Sequence, residues 1–284
     1  MIRLPEKKLR VATRKSPLAM RQTLATVEHL TEAISGLEHE LLPMSTSGDQ
    51  RQSWSLEERG GKGLFTKELE VAMLDGRADL AVHSAKDMPT ELPDGLSLAG
   101  YLPRVDPADV LVVRRGVDSP KTIATGSPRR RAQAKQLFPD AEFFEIRGSV
   151  ETRLRKIAQG QADATYLAAA GLSRLGIEEF EGLVFRPMSL AEMIPAAGQA
   201  AIALECREED VPVLAPFLCR ETAKCVNLER QLLAALGGGC HTAVAIHVTD
   251  QRVYIFKEEL GRKEYPIEAT FTSEQVESIA RTLC

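Results

Sequence analysis

The chain has 284 residues, 44% of them hydrophobic, with a formal net charge of −4 and five cysteines. That length supports more than one hydrophobic core, at roughly 100–200 residues per domain, which excludes a small disulfide-stapled scaffold. The acidic balance argues against a general nucleic-acid binder and makes any anion site a local matter. Cys206, Cys219, Cys225, Cys240 and Cys284 are odd in number and form no C-x-x-C pair, which disfavours a disulfide framework or a zinc knuckle and leaves mostly free thiols. Residues 1–10 alternate charge with isolated apolar residues rather than building the core of a signal peptide. No apolar run approaches the roughly 20 residues of a membrane span, so a cytoplasmic location is expected.

In chain order, Leu9–Thr13 predicts a short buried strand, and Ser16-Pro17 then supplies an N-cap with proline at the first helical position. Leu24, Val27, Leu30 and Ile34 are expected as the apolar stripe of that helix. The polar run 46–63 contains Gly60-Gly-Lys62-Gly63, which lacks the spacing of a nucleotide-phosphate loop and is expected as a hinge or lid. The single tryptophan, Trp54, carries no chemistry of its own.

Two echoes run along the chain. Thr122-Ile-Ala-Thr125, Gly126 and Ser127-Pro128 repeat the strand, turn and Ser-Pro helix start, with Ala134, Leu137 and Phe138 on one helix face. Leu74-Asp-Gly76-Arg-Ala78-Asp79 is echoed by Ala158-Gln-Gly160-Gln-Ala162-Asp163, each a helix ending at glycine before an Ala-Asp strand start. The offsets, 111 residues for Ser16 to Ser127 and 84 for Gly76 to Gly160, place 27 extra residues in the first half, where the 46–63 run lies. Two related α/β halves follow, with mostly parallel sheets, a cleft between them and ligands at the carboxyl ends of strands. After Glu205 the pattern changes: residues 227–236 read as a helix, and Val244/Ile246/Val248, Val253/Ile255 and Tyr265/Ile267/Ala269/Phe271 alternate as half-buried strands. Thr272-Ser-Glu-Gln275 is a capping box for a last helix, completing a small α+β domain.

Arginines collect at the expected strand-to-helix turns: Arg14 before Ser16, Arg129 and Arg130 after Ser127, Arg147 and Arg153 around Ser149. Cations in a first helical turn oppose the helix dipole, so a bound carboxylate or phosphate would explain them; pairing with Glu145 and Glu151 is the alternative. His83-Ser84-Ala-Lys86-Asp87-Met-Pro89 follows an apolar strand, and Asp87 there could serve as acid, base or partner of a developing cation, or Lys86 and Asp87 could be a surface pair before a turn. His29 and His39 are expected at the surface, His241 and His247 show no metal-ligand spacing, and Cys206, Cys219 and Cys225 are expected as core thiols. Cys240, after Gly237-Gly-Gly239, reads either as a thiol open to a bulky group or as an idle cysteine behind a helix cap.

Several ordered motifs together resemble one family. Arg14-Lys-Ser16-Pro-Leu-Ala, Gly61-Lys62-Gly-Leu-Phe65, Val82-His83-Ser84-Ala-Lys86-Asp87-Met-Pro89, Ser127-Pro-Arg129-Arg130, Arg147-Gly-Ser-Val-Glu-Thr-Arg153, Ala170-Gly-Leu-Ser-Arg174-Leu-Gly and Gly238-Gly-Cys240 are similar to porphobilinogen deaminases. The resemblance implies two lobes like those of type II periplasmic binding proteins, plus a small C-terminal α+β domain. Their bounds would be 1–102 with 197–216 for lobe 1, 103–196 for lobe 2, and 217–284 for the domain carrying the cofactor cysteine. It implies stepwise condensation of four porphobilinogen molecules, with loss of ammonia, onto a dipyrromethane thioether-linked to Cys240, then hydrolysis to hydroxymethylbilane for tetrapyrrole (heme) synthesis.

Asp87 would be catalytic. Cys240, Ser84, Lys86, Asp87, Thr125, Ser127, Arg129 and Arg130 would bind the cofactor, and Arg14, Ser16, Gln22, Lys62, Phe65, Arg147, Arg153 and Arg174 the substrate. Asp49, Lys62 and Phe65 suggest closure of the long loop over the site. No metal is implied; a monomer is, with hand-off of product to uroporphyrinogen-III synthase and no nucleic-acid or membrane partner. The chain departs from the family pattern at Gly126, Pro128, Ser149 and Ala200, where Ser, Leu, Asn and Gly are usual, and at Ala243 and Ala245 after the cysteine. A two-lobed binder of a small carboxylate, without catalysis, is the competing expectation; it would need neither a third domain nor Cys240.

Overall fold

The computed structural model describes residues 2, 8–50, 64–238, 242–267, 275, 276, 278, 279 and 281, with the side chains of 49 and 50 excepted. The side chain of Asp49, and Trp54, Lys62, Cys240, His241, Ala269, Phe271 and the Thr272–Glu274 part of the capping box, lie outside these residues. The chain divides into two compact units, Met1–Gln52 with Gly61–Val105 and Ala201–Lys224, and Ser53–Gly60 with Asp106–Ala200 and Cys225–Cys284.

In the first unit, β1 (Leu9–Arg14), β2 (His39–Met44), β3 (Leu80–Ser84), β4 (Leu96–Tyr101) and β10 (Ile202–Arg207) form a sheet in the order β2-β1-β3-β10-β4. β1 pairs in parallel with β2 and β3, whereas β10 runs antiparallel to both β3 and β4. The second unit repeats the scheme with β5 (Asp109–Arg114), β6 (Thr122–Ala124), β7 (Glu142–Phe144), β8 (Ala164–Ala168) and β9 (Leu183–Pro187), ordered β7-β6-β8-β5-β9. Here β6 pairs in parallel with β7 and β8, and β5 antiparallel with β8 and β9. Four strands of each sheet run one way, as expected of mostly parallel sheets, and one runs against them. Each lobe recruits one strand from outside its strand-helix-strand unit, and that strand enters in the opposite direction.

Helix α1 (Pro17–Ala33) starts where Ser16 accepts from the Ala19 N–H, and its buried face carries Ala19, Gln22, Thr23, Thr26, Val27 and Leu30. Leu24, expected in that stripe, is 46% exposed. At about 100° per residue it falls well round the helix from Leu30, and Thr23 takes the inward position, donating to Thr13 Oγ1 at 2.6 Å. A helical turn α2 (Ser47–Gln50) and helix α3 (Lys67–Leu74) follow, then α4 (Pro128–Leu137), α5 (Val150–Ala158) and α6 (Ala169–Arg174) in the second unit. Ser127 and Ser149 cap α4 and α5, accepting from the N–H groups of Arg130 and Thr152.

The second echo has a physical basis. Asp79 accepts from the Arg10 N–H at 3.1 Å, and Asp163 from the Thr122 N–H at 3.1 Å, each tying its strand to the start of its neighbour. Gly76 and Gly160, at φ +71° and +81°, end the preceding helices in the left-handed conformation that glycine adopts without Cβ strain.

Beyond a turn α7 (Val211–Leu214), helix α8 (Arg220–Ala235) leads to the sheet β11-β12-β13, formed by Val244–Val248, Arg252–Lys257 and Gly261–Pro266. Leu228, Leu232, Leu236, Ile246, Val253 and Ile255 close a core of its own there. Mixed α/β, with two five-stranded lobes and a small three-stranded domain, is therefore the fold class. Among the described residues no helix is long and apolar enough to cross a membrane, and no cluster of metal-ligating side chains occurs.

Candidate active site

In the first unit, β1 and β3 run in parallel and end side by side, which brings their turns together. Arg14, the last residue of β1, lies 4.0 Å from Asp87 through Nη1, and its guanidinium carbon stands 4.4 Å from the Phe65 ring centroid, a cation–π contact. Asp87 closes the 3-10 turn Ala85–Asp87, which is fixed from behind by the Ala85 N–H donating to Ala201 O at 3.0 Å. Its side chain keeps 34% of its surface exposed, so one carboxylate stays within reach of a ligand. Ser84 and the buried Gln22 are joined at 2.9 Å, and Ser16 heads α1 with no acid in its first turn. Arg14, Ser16, Gln22, Phe65, Ser84, Lys86 and Asp87 therefore gather at one strand-end face.

Behind this face His83 Nε2 lies 2.9 Å from Glu205 Oε2, both side chains buried. Burial raises the carboxyl of nearby Glu70 above its ordinary range, reinforced by the Glu205 charge. His29, expected at the surface, is half-buried with Nε2 2.7 Å from Phe217 O. Of the three expected core thiols, only Cys206 is buried; Cys219 and Cys225 are half-buried, and Thr222 donates to Cys219 Sγ at 3.3 Å.

In the second unit the parallel ends of β6 and β7 present Thr125 and Ser127 on one turn, and Arg147 and Ser149 on the next. Arg129 and Arg130, expected to hold ligand carboxylates, are buried and pair with Asp109. Arg129 Nη1 meets Asp109 Oδ2 at 2.7 Å and Ile194 O at 2.7 Å; Arg130 Nη2 meets Asp109 Oδ1 at 2.6 Å and its Nη1 reaches Tyr166 O at 2.8 Å. Burial alone would push the Asp109 carboxyl up, but the two guanidinium groups hold it well below the usual carboxylate range. Burial lowers Arg129 too.

The third arginine of the run, Arg131, points to Glu145 at 3.4 Å, and Arg147 lies 2.9 Å from the same carboxylate. Of the alternative acid partners, Glu145 pairs with Arg147, while Glu151 pairs with Arg155 at 2.9 Å. Arg153 lies half-buried one turn into α5. Arg174 donates to Ala200 O at 2.6 Å, and burial lowers it to about 10. Ala200 itself has φ +71°, the only non-glycine residue in that region among the described residues.

Sequence reasoning missed Asp109 and Arg131, and named Glu145 only as an alternative partner of the turn arginines. An acid opening the apolar run Asp109-Val-Leu-Val-Val is the one signal that Asp109 carried. An open pocket of about 390 Å³ in this unit is lined by Pro128, Leu236, Thr242, Ala243 and Lys257 among others, joining the start of α4 to the start of β11.

In each unit, serine-capped helix starts and basic side chains stand at the carboxyl ends of strands, where anions are favoured. A family model described as "Porphobilinogen deaminase, dipyromethane cofactor binding domain" matches residues 9–215. Porphobilinogen deaminases of two strains of Xanthomonas oryzae pv. oryzae are 45% identical over 245 residues, covering 84% of this chain and 80% of theirs. The chain belongs to the porphobilinogen deaminase family and is a transferase of tetrapyrrole synthesis with a dipyrromethane-binding domain. Among solved structures, the BvgS periplasmic VFT2 domain of Bordetella pertussis aligns at TM-score 0.44 and 20% identity, covering 73% of this chain and 83% of that one. The BenM effector binding domain with its effector benzoate aligns at TM-score 0.44 and 16% identity, covering 82% and 94%.

Proposed function

We propose that this chain is a hydroxymethylbilane synthase: it condenses four porphobilinogen molecules head to tail with loss of ammonia and releases the linear product by hydrolysis. The single observation that carries the assignment of roles is Asp87, half-exposed at the strand-end face and held beside Arg14 at 4.0 Å. When bound, the dipyrromethane supplies a nucleophilic pyrrole carbon as primer.

The residues present suit a group with two acetates and two propionates. Ser127 heads a helix without acids in its first turn, Lys86 lies in the turn that follows Ser84 and Arg14 faces Asp87 of that turn, and the Arg131–Glu145–Arg147 cluster already holds a carboxylate. Asp87 hydrogen-bonds pyrrole N–H groups, stabilises the positive charge that develops on substrate as ammonia leaves, and exchanges protons there. Ser84, Lys86, Thr125 and Ser127 hold cofactor carboxylates. Arg129 and Arg130, bound to Asp109, would shape that wall and add to its positive potential.

Arg14, Ser16, Gln22, Lys62, Phe65, Arg147, Arg153 and Arg174 form the substrate side in this reading. Cys240 is the thioether anchor, supported by the pocket that joins Pro128 to Thr242 and Ala243. The domains that accompany it are 1–102 with 197–216, 103–196, and 217–284. The protein acts as a cytoplasmic monomer and passes its product to uroporphyrinogen-III synthase.

Intact mass and an acid p-dimethylaminobenzaldehyde colour test decide it. The purified chain should carry a dipyrromethane mass increment and give pyrrole colour, and Cys240→Ser should lose both. A bare-chain mass and no colour after incubation with porphobilinogen would leave a carboxylate binder without catalysis; an unchanged adduct on Cys240→Ser would move the anchor to another cysteine.

A further inference from the structure

The turns after β6 and β7 hold one acidic side chain between two basic ones. Glu145 Oε1 lies 2.9 Å from Arg147 Nε, and Oε2 lies 3.4 Å from Arg131 Nη2, so each carboxylate oxygen serves one guanidinium. Arg131 Nη2 also donates to Thr125 O at 3.3 Å, and Lys156 Nζ donates to Arg147 O at 3.0 Å, adding positive charge beside the group. The arginine side chains are 23% exposed and that of Glu145 35%, so solvent reaches all three.

The space for the carboxylate comes from Gly126. A Cβ there would stand 2.9 Å from Glu145 Oε1 and 3.2 Å from Ile146 O. Gly126 is absent from the glycines with positive φ, so its backbone does not require glycine. What glycine provides at this position is room, and Glu145 fills it.

We propose that Glu145 is a built-in carboxylate that occupies Arg131 and Arg147 until a substrate carboxylate displaces it, and that Gly126 makes the room for it. The pair thereby sets the affinity of this turn for anionic substrate. A carboxylate on the chain is always at hand, so substrate binds with its intrinsic affinity reduced by the fraction of time the arginines are taken. The inference rests on the reading of Arg147 as a substrate-binding residue.

Steady-state kinetics of the cofactor-loaded enzyme with porphobilinogen test it. Glu145→Gln, which keeps the shape and removes the charge, should lower KM about twofold to fivefold, with more of the change in KM than in kcat. Gly126→Ser should also lower KM by crowding the carboxylate out, and should add little to Glu145→Gln, because both act on one group. An unchanged or higher KM in Glu145→Gln overturns the proposal. Arg147→Gln separates the two levels. If it raises KM while Glu145→Gln does nothing, the substrate assignment stands and the inference falls; if Arg147→Gln leaves KM unchanged, both fall.

Discussion

The two lobes share one sheet scheme and use their carboxylates in opposite ways. In the first, Asp87 stays half-exposed at the strand end, loosely paired to Arg14 at 4.0 Å. In the second, Asp109 is buried at the start of an inner strand and binds two arginines at 2.7 and 2.6 Å. The first arrangement leaves an anion open to solvent and within reach of a ligand. The second consumes an anion to hold cations rigidly, which a low-dielectric interior tolerates only when the pairing is close and otherwise satisfied. One topology thus carries a part-exposed acid on one copy and a buried, charge-paired acid on the other.

The largest expected effect breaks the first arm of that contrast. Asp87→Asn keeps the shape and removes the charge, and turnover should fall by at least about a hundredfold while intact mass still shows the cofactor increment. Near-normal rates would transfer the reactive role elsewhere. The second arm breaks by Asp109→Asn, which leaves Arg129 and Arg130 buried without their counter-ion and should cost about 3–5 kcal/mol in denaturant unfolding.

The pH dependence of that loss has a definite sign. Asp109 titrates below its ordinary value in the folded chain, so its contribution is fully present above the unfolded value of about 4 and fades as pH falls towards the folded one. The stability gap between the parent and Asp109→Asn should therefore be widest near neutrality and narrow in acid. A gap that widens on acidification would contradict the assignment of the charge to Asp109.

A smaller effect sharpens the contrast at Ala200, whose carbonyl accepts from Arg174. Its φ of +71° costs an L-residue roughly 1 kcal/mol, and the family pattern has glycine there. Ala200→Gly should raise stability by up to about 1 kcal/mol, the relief of strain being partly offset by the greater freedom of glycine in the unfolded chain. A lower melting temperature would mean that the backbone bears no strain at this position.

Much of the fold was legible because its signals are local. Ser16, Ser127 and Ser149 are caps whose hydroxyls accept from N–H groups three residues on, and Gly76 and Gly160 end helices through their own φ. The duplication was readable from those punctuation marks, and the motifs placed Arg14 at the end of one strand and Asp87 in the turn after another. Leu24 misled because a stripe counted on apolar residues ignored the threonines that α1 turns inward towards Thr13. Cys240 and Lys62, legible through motif alone, lie outside the described residues.

By itself the sequence determined the capped helix starts, the repeat and the family, since each depends on residues near one another or on an ordered set of motifs. Only the tertiary structure decided which arginines are spent and which are reachable. Asp109 lies 20 residues before Arg129, and Glu145 lies 14 residues after Arg131, so no local spacing pairs them. Antiparallel entry of β5 places the first acid under the helix start, and parallel pairing of β6 with β7 places the second beside it. Charge partners across strands are set by register, and register exists only once the sheet has formed.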